Sequence, residues 1–232
     1  MGRISVIIPM RNEAILVTSV LSALECWRHL GHEIIVVDGK SSDATVALAR
    51  PLCDQLVQTI AGRAQQMNAG AKIAGGDIFL FLHADTDLPI EIASELVALS
   101  SSRENFWGHC DVRLDADAFI YRIIEFLMNW RSRLTGIATG DQAMFVSRDL
   151  FDRCGGFPNI ALMEDIALSS SLGKKMAPVC LTRDVRTSAR RWQRNGVIRT
   201  ILTMWCLRAA FFFGVSPRQL NKIYQRGATR HR

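Results

Sequence analysis

The stretch that decides the fold is Ile78-Phe79-Leu80-Phe81-Leu82 running into His83-Ala84-Asp85-Thr86-Asp87-Leu88-Pro89. Five apolar residues give way abruptly to an imidazole and carboxylates. A buried strand that delivers polar groups at its C-terminal end is how an α/β sheet presents a site. Carboxylate oxygens suit Mg²⁺ or Mn²⁺, and such an ion commonly holds phosphates. The same residue types also cap helices, so Asp87 reads as a cap for a following helix.

Working outward, strand and helix signals alternate over the first ninety residues. Ile4 to Ile8 is a strand stopped by Pro9, and Glu33 to Val37 is a second, ending at Asp38. Leu56 to Thr59 is a short third. Glu13 to Trp27 has helical apolar spacing, Ser42 or Asp43 caps a helix through Arg50, and Arg63 to Ala74 is a further helix. Apolar strands between helices predict a mostly parallel sheet covered on both faces. In the second half, Phe106 to Leu114 and Gln142 to Ser147 read as strands. Ala118 to Leu134 and Glu164 to Leu172 read as helices. Asn195 to Gln225 reads as helical with a break at Gly214-Val215-Ser216-Pro217. No repeat, low-complexity run or linker divides the 232 residues, which predicts one domain, 1–232. Within it, 1–90 is a regular strand-and-helix half, 91–182 a less regular half and 183–232 a basic helical tail.

Composition narrows the partners. A hydrophobic content of 49% supports one substantial core. The six cysteines form no C-x-x-C pair and mostly sit in apolar runs, which predicts buried, reduced thiols and no zinc site. No signal peptide precedes the first strand, and Ile198 to Val215 is too interrupted by Arg199 and Arg208 to span a bilayer, so a cytoplasmic protein is expected. The net charge is +6, yet Arg183 to Arg232 holds eleven arginines and one lysine against a single acid, Asp184. An acidic body with a basic tail suggests an anionic partner: a phosphate-bearing substrate or an anionic membrane surface at the inner face. No nucleic-acid motif accompanies the charge. Ile198, Leu202, Trp205 and Phe211 to Phe213, interleaved with arginine, suit an interfacial helix, a buried closing helix or a homodimer contact.

Five segments, in order over about residues 4 to 170, carry a resemblance. They are Ser5-Val6-Ile7-Ile8-Pro9-Met10-Arg11-Asn12-Glu13, Ile34-Ile35-Val36-Val37-Asp38, Gly62-Arg63-Ala64-Gln65-Gln66-Met67-Asn68-Ala69-Gly70, His83-Ala84-Asp85, and Gly155-Gly156-Phe157 followed by Glu164-Asp165. The chain resembles the family 2 glycosyltransferases of the GT-A (nucleotide-diphospho-sugar transferase) fold, in particular their small bacterial members. The resemblance implies an α/β single domain with a C-terminal helical extension, in which 1–90 is the nucleotide-binding half and 91–182 the acceptor half. It also implies transfer from a nucleoside-diphosphate sugar, assisted by Mn²⁺ or Mg²⁺.

Residue by residue, the resemblance puts Pro9, Arg11, Glu13, Asp38, Arg63, Asn68, His83, Ala84 and Asp85 around the nucleotide sugar. Asp85 is the metal ligand. Asp165 is the base of an inverting transfer, supported by Glu164. Asp141, Gln142, Arg191 and Trp192 stand on the acceptor side. The chain departs from the family pattern twice: His83 replaces the first acid of Asp-x-Asp, and Gly39 follows Asp38 where a second acid is usual. Ser188 stands where the Gln-x-x-Arg-Trp motif of processive synthases has Gln. These departures keep a rival open, a non-catalytic nucleotide-binding or membrane-associated scaffold. A sugar-phosphate nucleotidyltransferase would need a glycine-rich loop after strand one, and Pro9-Met10-Arg11-Asn12 has none. A dehydrogenase would need G-x-G-x-x-G there.

Overall fold

The structure, a computed structural model, describes residues 2–229, with side chains through Tyr224. The last three residues of the basic tail, including Arg230 and Arg232, lie outside the described residues. The strands are β1 Ile4–Met10, β2 Glu33–Asp38, β3 Gln55–Gln58, β4 Ile78–Phe81, β5 Thr86–Asp87, β6 Trp107–Leu114, β7 Met144–Ser147 and β8 Val179–Thr187. They form one eight-stranded sheet in the order β3-β2-β1-β4-β7-β6-β8-β5. The β3-β2-β1-β4 half is all parallel. β7 runs antiparallel to β4 and β6, β8 returns parallel to β6, and β5 closes the edge antiparallel to β8.

Alternation along the apolar strands sorts their side chains into two cores, one per face. Ile4, Val6, Ile8, Ile34, Val36, Ile78 and Leu80 share a cluster with Trp27, Ile92 and Leu96. Ile7, Ile35, Val37, Phe79 and Phe81 share another with Met67, Leu168 and Leu172. The helices of the first face are α1 Val17–Ala23, α2 Glu25–His29, α3 Thr45–Ala49 and α5 Glu91–Ser102. Those of the second are α4 Arg63–Ile73, α7 Arg148–Arg153 and α8 Glu164–Gly173. α4 lies very close to the sheet at Gly70, where a Cβ would stand 2.4 Å from Cγ2 of Ile7. α6 Phe119–Thr135 covers β6, and α9 Arg190–Asn195, α10 Val197–Phe212 and α11 Pro217–Thr229 complete the chain.

Several sequence expectations need correction. The single helix over 13–27 is two, α1 and α2, with Leu24 between them. The basic tail is not helical throughout: residues 183–187 belong to β8, whose alternating charged residues hid it. Asp87 caps nothing; it is exposed in β5, opposite Arg186. Only Cys53 and Cys110 are buried, and Cys26 and Cys206 are exposed; all six thiols are free. No helix among the described residues is long and apolar enough to cross a membrane.

Candidate active site

The parallel strands β1, β2 and β4 all end at one edge, and antiparallel β7 begins there. Phe81 pairs with Met144, so the residues before β7 meet the residues after β4. All four non-glycine residues with left-handed backbones among the described residues lie on this edge: Asn12 after β1, Lys40 after β2, Ala143 before β7 and Met163 before α8. Such conformations cost of order 1–3 kcal/mol each and concentrate where geometry matters more than stability.

Each turn is held by side chains. The Asn12 N–H donates to Ser41 Oγ at 2.9 Å, and Asn12 Oδ1 accepts from the Ser42 N–H at 2.8 Å, locking the turn after β1 to the turn after β2. Gln66 of α4 donates to the carbonyls of Met10 and Val37 at 2.9 and 2.8 Å, pinning the same two strand ends. Asp38 is wholly buried. Its carboxylate accepts from the Ser41 N–H and hydroxyl and from Gln58 Nε2 at 3.0 Å, so these groups fix its orientation. Asn68 makes two bonds to the backbone of Phe157: Nδ2 donates to its carbonyl at 2.7 Å, and Oδ1 accepts from its N–H at 2.9 Å. Its amide therefore ties the Gly155-Gly156-Phe157 turn to α4. Gly156 (φ +71°) has no room for a side chain there, because a Cβ would meet Asn68 Oδ1 at 2.7 Å.

The reactive groups converge at the centre of this edge. His83, Gly140, Glu164, Asp165, Met67 and Phe157 line one crevice of about 10 Å³. His83 lies close against Gly140, where a Cβ would come within 2.3 Å of Nε2. The Gly140 N–H donates to Asp165 Oδ2 and the Ile166 N–H to Oδ1, both at 2.8 Å. Burial raises the carboxyls of both Glu164 and Asp165, and Asp165 raises Glu164 further; Arg63 opposes the rise in each. Burial, then Arg63, drives the His83 imidazole well below its ordinary value, so it is neutral at pH 7. Glu13 is raised by burial and by Asp85 and Asp43, against Arg190 and Arg63. Pro9, half-buried, pairs with Val37 in β1, and exposed Arg11 and Arg63 open the turn and α4 at the same edge.

Some expected residues do other work. Gln142 is fully buried: Oε1 accepts from the Thr139 N–H and hydroxyl, and Nε2 donates to Ser132, so it caps a turn and does not face an acceptor. The Ala84 side chain packs in the core. Trp192 packs beside Leu114, Ala189 and Tyr121. Arg191 turns to Met204 Sδ and stacks over the Tyr224 ring at 4.4 Å. Its neighbour Arg190 is the arginine that reaches the site, with Nη2 3.7 Å from Asp85 Oδ2. Sequence reasoning also missed Arg131, whose guanidinium burial and Arg208 lower to about 10 while Asp141 and Asp165 hold it up. Its helical context offers no signal, since proximity to Asp141 and Asp165 arises only on folding.

No cluster of three metal-ligating side chains exists among the described residues. The donor set still fits a hard cation that relies on substrate: Mg²⁺-type sites commonly take one or two carboxylates plus phosphate oxygens. Asp85, about one-third exposed at this edge, is a carboxylate of the kind such a site would use.

A mostly parallel sheet with polar groups gathered at its strand ends defines an α/β domain that takes its ligand at that edge. Residues 5–162 match the family model for glycosyl transferase family 2, and the chain belongs to that family. It is similar to 4,4'-diaponeurosporenoate glycosyltransferase of Staphylococcus haemolyticus, with 33% identity over 113 residues; this is 45% of the chain but 30% of that relative's length. Among solved structures it resembles S. aureus TarS 1–349 (TM-score 0.66, 17% identity), covering 81% of this chain and 60% of TarS 1–349. It also resembles the mannosyltransferase PcManGT of Pyrobaculum calidifontis in complex with GDP-Man and Mn²⁺ (TM-score 0.63, 20% identity), covering 96% of this chain and 68% of that one. At such identities these structures establish the GT-A fold.

Proposed function

We propose that this protein transfers a sugar from a nucleoside-diphosphate sugar to an acceptor hydroxyl with inversion, using Asp165 as base. The observation that carries this reading is the meeting of Glu164-Asp165 with His83 in one crevice, across the Gly140 hydrogen bond. A carboxyl raised by burial is a better proton acceptor than an exposed one. Asp165 takes the acceptor hydroxyl proton, the acceptor oxygen bonds to the anomeric carbon, and the bond from that carbon to the diphosphate breaks. Glu164 lies buried beside it, its carboxyl raised by burial and by Asp165, and supports Asp165 in that role.

Asp85 would hold the divalent cation together with the donor diphosphate, and the cation supplies charge neutralisation for the departing nucleoside diphosphate. Mn²⁺ with GDP-Man in PcManGT and UDP-GlcNAc in a TarS complex support this chemistry by similarity. Arg63 at the start of α4, and Arg190 beside Asp85, add positive charge next to that leaving group. His83, held close to Gly140 with its imidazole lowered by burial, bounds the crevice without adding positive charge to it. The acceptor we favour is lipid-linked, on the strength of the arginine-rich helices that follow β8.

Thermal unfolding with UDP-, GDP-, dTDP- and CDP-sugars, with and without Mn²⁺, tests the donor half. A metal-dependent rise with one base, lost in Asp85→Ala, is the expected result. Donor hydrolysis or transfer that survives Asp165→Asn would remove Asp165 as the base. Donor binding without turnover on any acceptor would favour the scaffold reading.

A further inference from the structure

α6 is attached to the body of the protein by its polar side. β6 pairs with β7 only at Trp107 and Gly108, so its later residues lack a strand there. Side chains of α6 take that place. Asn129 bonds both the N–H and the carbonyl of Val112, at 2.9 and 3.1 Å, and Glu125 accepts the Leu114 N–H at 2.6 Å. Arg122 donates to the carbonyls of Leu114 and Ala116, and Arg133 pairs with Asp111. The opposite face therefore carries Phe119, Ile123, Phe126, Trp130 and Leu134, spaced by four, three, four and four residues, and exposed by 41 to 77%. A surface helix normally presents the reverse arrangement.

α10 packs inward through Leu207 and Met204 and also exposes apolar side chains outward, Ile198, Leu202, Trp205 and Phe212, by 56 to 84%. The two helices are neighbours. Tyr121 and Met128 of α6, Trp192 of α9 and Val197 at the start of α10 pack on one cluster of Leu114, Ile124 and Ala189, and the charge of Arg208 acts on Arg131. Beside them a cavity of about 770 Å³ opens between α9, α10 and α11, whose lining among the described residues includes Arg190, Arg191, Arg194 and Arg199 and no acidic residue.

We propose that the outward faces of α6 and α10 dock on an anionic lipid bilayer. The aromatic and aliphatic side chains enter the headgroup boundary, and the arginines of the adjoining cavity meet lipid phosphates. Charge selects this occupant: a second copy of the chain would bring the same arginines against themselves, whereas anionic lipid complements them. Rings and aliphatics interleaved with arginine are the composition of a helix that lies in the interface. Arg190 lines the cavity and also pairs with Asp85, so the docked face adjoins the strand-end site. This docking requires no turnover and stands apart from the transferase reading.

The test is co-sedimentation of the full chain with vesicles of phosphatidylcholine alone or mixed with phosphatidylserine. The intact chain should sediment with the anionic vesicles, less with the neutral ones, and less as salt rises. Phe126→Glu with Trp130→Glu, both on the exposed face, should weaken partition about a hundredfold while the melting temperature stays unchanged. Three outcomes would overturn the proposal. The intact chain could ignore anionic vesicles. The double variant could bind as the parent does, leaving charge alone responsible. Or the parent could be a dimer by light scattering that the double variant dissolves, with no vesicle binding.

Discussion

The backbone N–H of Gly140 donates a 2.8 Å hydrogen bond to Oδ2 of Asp165, joining the turn before β7 to the first turn of α8 across 25 residues of chain. His83 lies against the other side of the same glycine. One residue without a side chain thus spaces an imidazole from the proposed base.

Gly140→Ala should therefore act on both neighbours. Its Cβ would fall 2.3 Å from His83 Nε2, so the ring or the turn must move. Overpacking of this kind costs roughly 1–3 kcal/mol. The expected outcome is a lowered urea midpoint together with a loss of turnover larger than that instability explains.

The raised carboxyls set a pH dependence. Turnover should rise with pH through a range above that of ordinary carboxylates, because Asp165 must be ionised to accept a proton. Stability runs the other way. Glu164 binds its proton more tightly folded than unfolded, so its contribution is fully present in acid and is lost as pH rises through the raised value. Glu164→Gln removes that loss. Urea unfolding should find the variant gaining on the parent near neutral pH, an advantage that disappears below the ordinary carboxylate range.

Asp85→Ala tests binding against stability. Its partner Arg190 is more than half exposed, and exposed ion pairs contribute about 0–1 kcal/mol, so the basal melting temperature should barely change. The stabilisation by nucleotide sugar and Mn²⁺, about 2.7 kcal/mol at a hundredfold excess over Kd for a competent site, should vanish.

Asn68→Ala should destabilise by about 1–3 kcal/mol, because the Phe157 N–H and carbonyl lose both partners in a half-buried turn. Asn68→Asp can keep the bond from the N–H but not the one to the carbonyl, so chemical denaturation should rank it between the parent and the alanine variant.

Gly70→Ala probes the sheet rather than the site. A Cβ there meets Ile7 at 2.4 Å and Val37 at 2.9 Å, so α4 must lift from β1 and β2. The predicted loss is again roughly 1–3 kcal/mol. Donor affinity should fall with it, since Gln66 on the same helix pins both strand ends.

The parallel half of the sheet was legible because β1, β2 and β4 are buried on both faces, which makes them near-continuous apolar runs between their polar ends. The segments His83-Ala84-Asp85 and Glu164-Asp165 were legible because polar residues at the ends of such elements stand out against apolar runs. β8 was not, since its Arg183, Asp184 and Arg186 are exposed and its partners lie far away in the chain. Nor was the role of Gln142, whose type suits a ligand contact and a buried cap equally well.

The amino-acid sequence by itself determined the strand and helix order, the strand-end location of the acids and the family, because local hydrophobic period and turn residues act over a few positions. Tertiary structure alone decided which arginine faces Asp85, that Gly140 joins His83 to Asp165, and that α6 turns its apolar side outward. Each of these depends on what a distant segment brings within a few ångströms. Burial, charge pairing and hydrogen-bond competition are then settled by packing rather than by residue type.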